Sequence, residues 1–558
     1  MAKPTKIIKK TDSKTVFQTL NNYLLKNNRI IFWVILAIGS VLALLSFNAR
    51  ISEAHDDALY IEAGYRYVHE FPNYYYTSNA PMYPMFLALL TMMLGTNLIV
   101  FKLFSILFFI MGPVIYYKAL DKKVPEILKF FVFSFLCINH MIIYFASQTF
   151  SESFYLLMQA IFFYYFSRYN FSENPISTNL KIDYKKWLWL GFLMMILTLA
   201  KNILVFGIAA ILLFYFIKKE YKKTFYALVS FGIFKLLYEL IKNAIWGASA
   251  IQYNSQVNIL LNKDPYDASQ GQEDLSGFFG RLFDNIGLYL GKRFYQILGF
   301  IEENYTNSFA ILAFLVIALT VYGLYIAIKR KNAIISFFLL FAGTILFGTF
   351  FVLQARWDQP RFLLVHMPAV LLGMFYGMYT LVEKDNFTQR IFILLIILVL
   401  GSMFISSAKR ALANIPIVTK NLKGDKYYGY TPDWQSFLKA SAWCADSLPK
   451  ESLVASRKAP MSFVYGHGKK FFPIYSVIKK DTVTSQSNPD SALAFFKKNK
   501  VTHIILGSLR IDPTKNTGQI INTVHNIAQP IMQKYPDKLQ IIHTEGSMEP
   551  AYVLKIKY

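Results

Sequence analysis

Residues 30–47 read IIFWVILAIGSVLALLSF. They run for roughly 18 residues without a charge, the length at which an apolar segment crosses a bilayer as a helix. In hydrocarbon every backbone N–H and C=O needs an internal partner, so such a run has to be helical. Residues 389–408 are nearly as apolar. Charged residues make up only 16% of the chain, well below the roughly quarter of a soluble domain, so the chain is read as a polytopic α-helical membrane protein.

The net charge of +25 raises the question of a nucleic-acid partner. None is expected, because Lys and Arg gather in short segments between the apolar runs, the positive-inside pattern of membrane proteins. Cys137 falls in an apolar run and Cys444 in the terminal region, so no disulfide between them is expected. No small-residue cleavage site follows the first apolar run, which is read as a retained anchor.

The charges also set the topology. The basic first 29 residues are predicted to be cytoplasmic and flexible. Segment 81–96 spans about 24 Å as a helix, short of a core of about 30 Å. If it crosses, the clusters Lys122–Lys123, Lys185–Lys186, Lys218–Lys223 and Lys329–Lys331 all fall outside. If it returns to the outer face, all four fall inside, and this arrangement is preferred. Eleven spans follow: 30–47, 98–117, 126–147, 152–168, 187–200, 203–217, 224–246, 308–328, 333–352, 362–382 and 389–408. The membrane domain is then 30–408, with outer loops 48–97 and 247–307, the latter including a helix lying at the interface. Residues 409–558 change character. Strand-length apolar runs (452–456, 501–507, 539–543, 551–556) alternate with amphipathic helical stretches near 433–447, 489–499 and 519–535, which predicts an extracytoplasmic α/β domain.

The polar residues at the predicted outer face are the candidates for chemistry. His55-Asp56-Asp57-Ala58-Leu59-Tyr60 follows the first span. Paired carboxylates there suit base chemistry or cation binding, and the plain alternative is that they cap a helix N-terminus. Glu152 opens a later span and is open to the same two readings. Arg356 and Arg361, in Arg356-Trp357-Asp358-Gln359-Pro360-Arg361, suit phosphate recognition or interfacial anchoring. Lys201, between two short spans, is a basic residue on the outer side against the usual bias. It either compensates an anion or snorkels. Lone histidines such as His140 and His366 are read as packing residues. No HExxH, paired CxxC or Walker loop is present.

Together these residues resemble the GT-C membrane glycosyltransferases, in particular the protein O-mannosyltransferase and aminoarabinose transferase group. The likeness covers roughly 30–408. The family's first outer loop carries an Asp-Glu pair, two residues and a Tyr, here Asp56-Asp57-Ala58-Leu59-Tyr60. A Pro-led short helix follows, here Ala80-Pro81-Met82-Tyr83-Pro84. An acid opens the fourth span (Glu152), a basic residue follows the short fifth (Lys201), and Arg361-Phe362-Leu363-Leu364 matches an Arg-aromatic-Leu-Leu sequence at a late span. The resemblance implies inverting transfer of a sugar from a polyprenyl-phosphate donor to an acceptor hydroxyl of a glycolipid, glycan or protein, at the outer face of the cytoplasmic membrane. Asp56 would be the general base. Asp57 and Glu152 would shape the acceptor side or bind a cation. Lys201, Arg361 and Arg356 would hold the donor phosphate, and Tyr60 and Tyr83 the substrates. Some relatives place an acid just before the Pro-led helix, where this chain has Asn79-Ala80-Pro81. No metal site is therefore expected, and a divalent cation is the one cofactor the resemblance leaves open. The alternative is a transporter or flippase of a lipid-linked glycan, which duplicated halves and charges at mid-membrane would favour. No duplication is found.

Overall fold

The computed structural model describes residues 15–53, 56–250, 256–265, 267–510 and 523–558. His55 and the first part of the basic N-terminus lie outside the described residues. A helix stands at each of the eleven segments predicted to span: Asn28–Leu45, Leu98–Leu120, the pair Glu126–Ile138 and His140–Ala146, Ser151–Asn170, Leu180–Ala200, Asn202–Ile217, Tyr221–Trp246, Ala310–Lys329, Ala333–Val352, Met367–Val382 and Asn386–Leu422. Among the described residues six of these are long and apolar enough to cross a membrane alone, and the bent pair taken as one would be a seventh. The others are short or begin on polar residues.

Several boundaries differ from expectation for local reasons. The expectation of a flexible N-terminus gives way over Val16–Lys26, a helix opened by a capping box between Thr15 and Gln18. Its Phe17 ring stacks on Tyr379 at 4.4 Å. The predicted span 126–147 bends by 49° at Asn139, whose side chain accepts from the Met141 and Ile142 amides (3.0 and 3.2 Å) and so caps the second half as a new helix. Leu180–Ala200 starts earlier than 187 because Asn179 caps it. Asn386–Leu422 runs past 408 without a break.

The loop after the first span, predicted to be outer, folds into two helices, Asp56–His69 and Met82–Leu94. They meet closely at Gly64, where a Cβ would come within 2.9 Å of the Leu87 side chain. Met82–Leu94 is the short helix expected over 81–96. The predicted interfacial helix is broken by a π-turn into Leu275–Leu288, Tyr289–Arg293 and Phe294–Ile297.

Beyond Leu422 lies a five-stranded sheet flanked by helices. Its strand order is Phe471–Pro473, Leu453–Ser456, Val501–Leu506, Ala551–Ile556, Leu539–Glu545. The first three strands are parallel and the last two pairings antiparallel. All four predicted strands are present. Phe471–Pro473 was not predicted, being too short to show a period. Helices Pro432–Ser447 and Pro489–Lys498 match their predictions, and His525–Lys534 occupies the described part of 519–535.

This domain and the first outer loop share one hydrophobic core. Ile51, Tyr60, Ala63 and Tyr67 pack in the same cluster as Trp434, Phe437, Met461 and Ile505. Tyr65 meets Phe463 edge to face at 5.0 Å. The Arg50 guanidinium lies over the Tyr430 ring, 5.0 Å from its centre.

Candidate active site

Four helix ends converge at the mouth of the bundle. Asp56 lies in the first turn of Asp56–His69, and Glu152 in the first turn of Ser151–Asn170. Lys201 is the residue just past the end of Leu180–Ala200, and Arg361 opens Arg361–Leu364. Acids at helix N-termini and a cation at a C-terminus are each favoured by the helix dipole, so the capping reading and the site reading describe the same atoms. The side chains form one string. Arg361 Nη1 lies 2.8 Å from Asp56 Oδ2 and 3.9 Å from Glu152 Oε1. Lys201 Nζ lies 2.9 Å from Glu152 Oε1 and donates to Ser151 Oγ at 2.9 Å.

Burial differs along the string. The Glu152 side chain is 2% exposed and that of Asp56 31%, so Asp56 is the acid a substrate can reach. Glu152 Oε2, Ser153 Oγ and Arg361 Nε are buried and make no hydrogen bond among the described residues. Buried polar atoms are costly without partners, and two of these belong to the string itself, as at a site for a polar ligand. Tyr60 packs beside them. Its phenol is pushed well up, first by burial and then by the charges of Asp56 and Glu152, so it remains a neutral hydrogen-bond donor.

Asp57 and Tyr83 are not brought to the open side. Asp57 is fully buried. Its oxygens accept from the Ser52 amide (2.8 Å), the Ser52 hydroxyl (3.1 Å) and the Ala58 amide (3.0 Å). Burial raises its carboxyl pKa, while the charge of Lys102 and these hydrogen bonds oppose the rise. Tyr83 stands behind Tyr60, with its ring edge-on to Tyr60 at 5.4 Å. For Arg356, only the backbone is described, in the turn Ala355–Trp357. Its side chain lies outside the described residues. Asp358 in the same loop pairs with Lys292 (2.9 Å) and Arg293 (2.6 Å), tying the segment before Arg361 to the π-turn.

Sequence reasoning missed Lys102. Its ammonium is buried and donates to Asn48 Oδ1 and Gln148 Oε1, both at 2.9 Å, and to the Arg50 carbonyl. The signal was available, since a lone Lys inside an apolar run marks a polar neighbourhood. Among the described residues no group of three or more His, Cys, Asp or Glu side chains gathers in one place. Asp56 and Glu152 each face a protein cation, a donor set that does not suit a divalent metal.

A cavity of about 480 Å3 lies beside the string. Its lining includes Tyr76, Asn202, Lys235, Glu239 and Lys242. The last three come from Tyr221–Trp246, a helix long and apolar enough to cross a membrane.

No protein-family model matches the chain, and no curated protein matches it in sequence. Solved structures do. The archaeal oligosaccharyltransferase AglB from Archaeoglobus fulgidus, in complex with an inhibitory peptide and a dolichol-phosphate, aligns with a TM-score of 0.53 at 12% identity, over 86% of this chain and 69% of its own. ArnT from Cupriavidus metallidurans bound to undecaprenyl phosphate aligns with a TM-score of 0.51 at 11% identity, over 95% and 98%. In its apo state ArnT gives 0.50 at 12%, over 96% and 98%. At these identities the likeness is one of fold. The chain shares the architecture of these structures, a bundle of apolar helices followed by a C-terminal sheet domain, as expected from its sequence.

Proposed function

We propose that this protein is a glycosyltransferase. It moves a sugar from a polyprenyl-phosphate donor to an acceptor hydroxyl at the outer face of the cytoplasmic membrane, with the N-terminus inside and the C-terminal domain outside. The observation that carries the reading is the string Asp56–Arg361–Glu152–Lys201 at one mouth of a GT-C bundle. The solved structures of that fold hold dolichol-phosphate or undecaprenyl phosphate, and the cavity lined by Asn202, the residue after Lys201, gives such a lipid room beside the helix Tyr221–Trp246.

In this reading the acceptor oxygen attacks the anomeric carbon while the bond from that carbon to the phosphate oxygen breaks. The acceptor proton passes to Asp56. The electron pair of the broken bond leaves with the polyprenyl phosphate, and the configuration inverts. A phosphate leaving group needs cationic contact more than a proton, which Arg361 and Lys201 supply. Arg361 has a second effect. Its ion pair occupies one oxygen of the Asp56 carboxylate. A donor phosphate competing for the guanidinium loosens the pair and frees Asp56 at the moment it is needed. Asp57 and Tyr83 support Asp56 and Tyr60 from behind.

The test is transfer from a mixture of radiolabelled polyprenyl-phosphate sugars into native membrane extract, by wild type and Asp56→Asn at matched expression. Wild-type transfer and a loss of roughly a thousandfold in the variant are expected, as for removal of a general base. Equal transfer by both removes Asp56 from the chemistry. Labelled lipid crossing to the other leaflet without transfer points instead to a flippase.

A further inference from the structure

The network at the mouth of the bundle has an outside contributor. Lys458 belongs to the C-terminal domain, at the residue just before the short helix Ala459–Tyr465. It is nearly buried, at 7% exposure. Its ammonium points away from its own domain and donates to the Glu53 carbonyl at 2.8 Å, three residues before Asp56. The Trp434 ring backs it, with Nζ 5.6 Å from the ring centre. The charges that face it are Arg457 from its own segment and Asp56, Glu53 and Asp57 from the outer loop. Glu53 in turn is faced by Arg50 and by Asp433 of helix Pro432–Ser447. We propose that Lys458 is a positioning residue for Asp56: beside the shared core, its ammonium pins the base-bearing loop at Glu53 and lends the site a positive charge from the C-terminal domain.

Two observations support this. First, the charges of the string cancel, Asp56 and Glu152 against Arg361 and Lys201, while Asp57 is faced by Lys102. An incoming phosphodiester adds one negative charge, and Lys458 is the further cation that faces Asp56. Second, burying an ammonium is unfavourable unless something holds it there, and what holds it is the loop carrying the base. Burial, with Arg457 adding to it, pulls the Lys458 amine down to about 8. Its charge is therefore largely present at neutral pH and lost on moderate alkalinity.

The inference rests on the reading of Asp56 as the base, and the experiment separates the two. Hydrogen exchange at the Ser52 and Ala58 amides, in the full-length detergent-solubilised protein, needs no substrate. About tenfold faster exchange is expected in Lys458→Met and wild-type exchange in Lys458→Arg. In the transfer assay with labelled polyprenyl-phosphate sugars, the wild type should lose activity as pH rises through about 8. Lys458→Arg should keep its activity more than one pH unit further, because a guanidinium does not titrate there. Lys458→Met should lose most of kcat with little change in donor KM. If Lys458→Met does not purify, the arginine variant alone decides, through its shifted alkaline limb. Unchanged exchange in Lys458→Met, or an unmoved limb in Lys458→Arg, overturns the proposal. Full activity in Asp56→Asn overturns the catalytic reading instead.

Discussion

Glu152 shows how one residue serves both stability and chemistry. It is almost wholly enclosed, and Lys201 lies on one of its oxygens at 2.9 Å. Removing that partner in Lys201→Met leaves a buried carboxylate with only the more distant Arg361, 3.9 Å away, at an expected cost of about 3 kcal/mol. The apparent melting temperature in detergent should fall accordingly. Adding Glu152→Gln to the same chain removes the stranded charge and should recover most of the lost thermal stability. Transfer activity should stay low in the double variant, because the cation facing the donor phosphate is still missing. A double variant that regains activity with its stability would make Lys201 a structural residue only. Asp56, Glu152, Lys201 and Arg361 were legible in the sequence because polar residues at the ends of apolar runs stand out. Asp57 was legible as a residue but not as a role: nothing in two adjacent aspartates says which one turns inward, and the Ser52 amide and hydroxyl decide it.

Among elements, the loop before Arg361 depends on a contact far away in sequence. Asp358 has a left-handed backbone, with φ of 32°, a conformation that Asp and Asn tolerate better than most side chains. Its carboxylate holds Lys292 and Arg293 of the π-turn. Asp358→Asn keeps the backbone preference and removes the charge. The expected result is faster limited proteolysis between 353 and 361 and weaker donor binding through a displaced Arg361. Proteolysis at the wild-type rate would show the loop to be held by its other contacts. The elements themselves were largely readable, since apolar runs and charge bias located the eleven predicted spans and Met82–Leu94, though not the helix Asp56–His69. What could not be read was where helices break. Asn139 divides one span by capping its second half, and an Asn in an apolar run looks the same whether it caps, packs or faces another helix.

At the scale of the molecule, the first outer loop belongs as much to the C-terminal domain as to the bundle, through the core joining Ile51, Tyr60 and Tyr67 to Trp434 and Met461. A chain ended after Leu422 would leave these side chains without cover, and such a truncation is expected to aggregate on size exclusion in detergent rather than yield a smaller enzyme. A monodisperse, active truncation would contradict this. The sequence announced two regions by their change in composition. It gave no sign that they share a core, because nothing in the local pattern of either region says what lies across from it. The last helix then has a consequence of its own. Asn386–Leu422 extends 14 residues past the predicted end at 408 (422 − 408) and, with Pro416 inside it, leads straight into the domain. A helix is a screw, advancing about 1.5 Å and turning about 100° with each residue. One residue inserted between 409 and 422 swings Lys458 a quarter-turn or more away from Glu53. Adding about seven residues, nearly two turns, brings the angle back to within about 20° but lifts the domain by about 10 Å. No insertion recovers both height and angle, so this stretch is keyed by residue count in a way that ordinary surface loops are not.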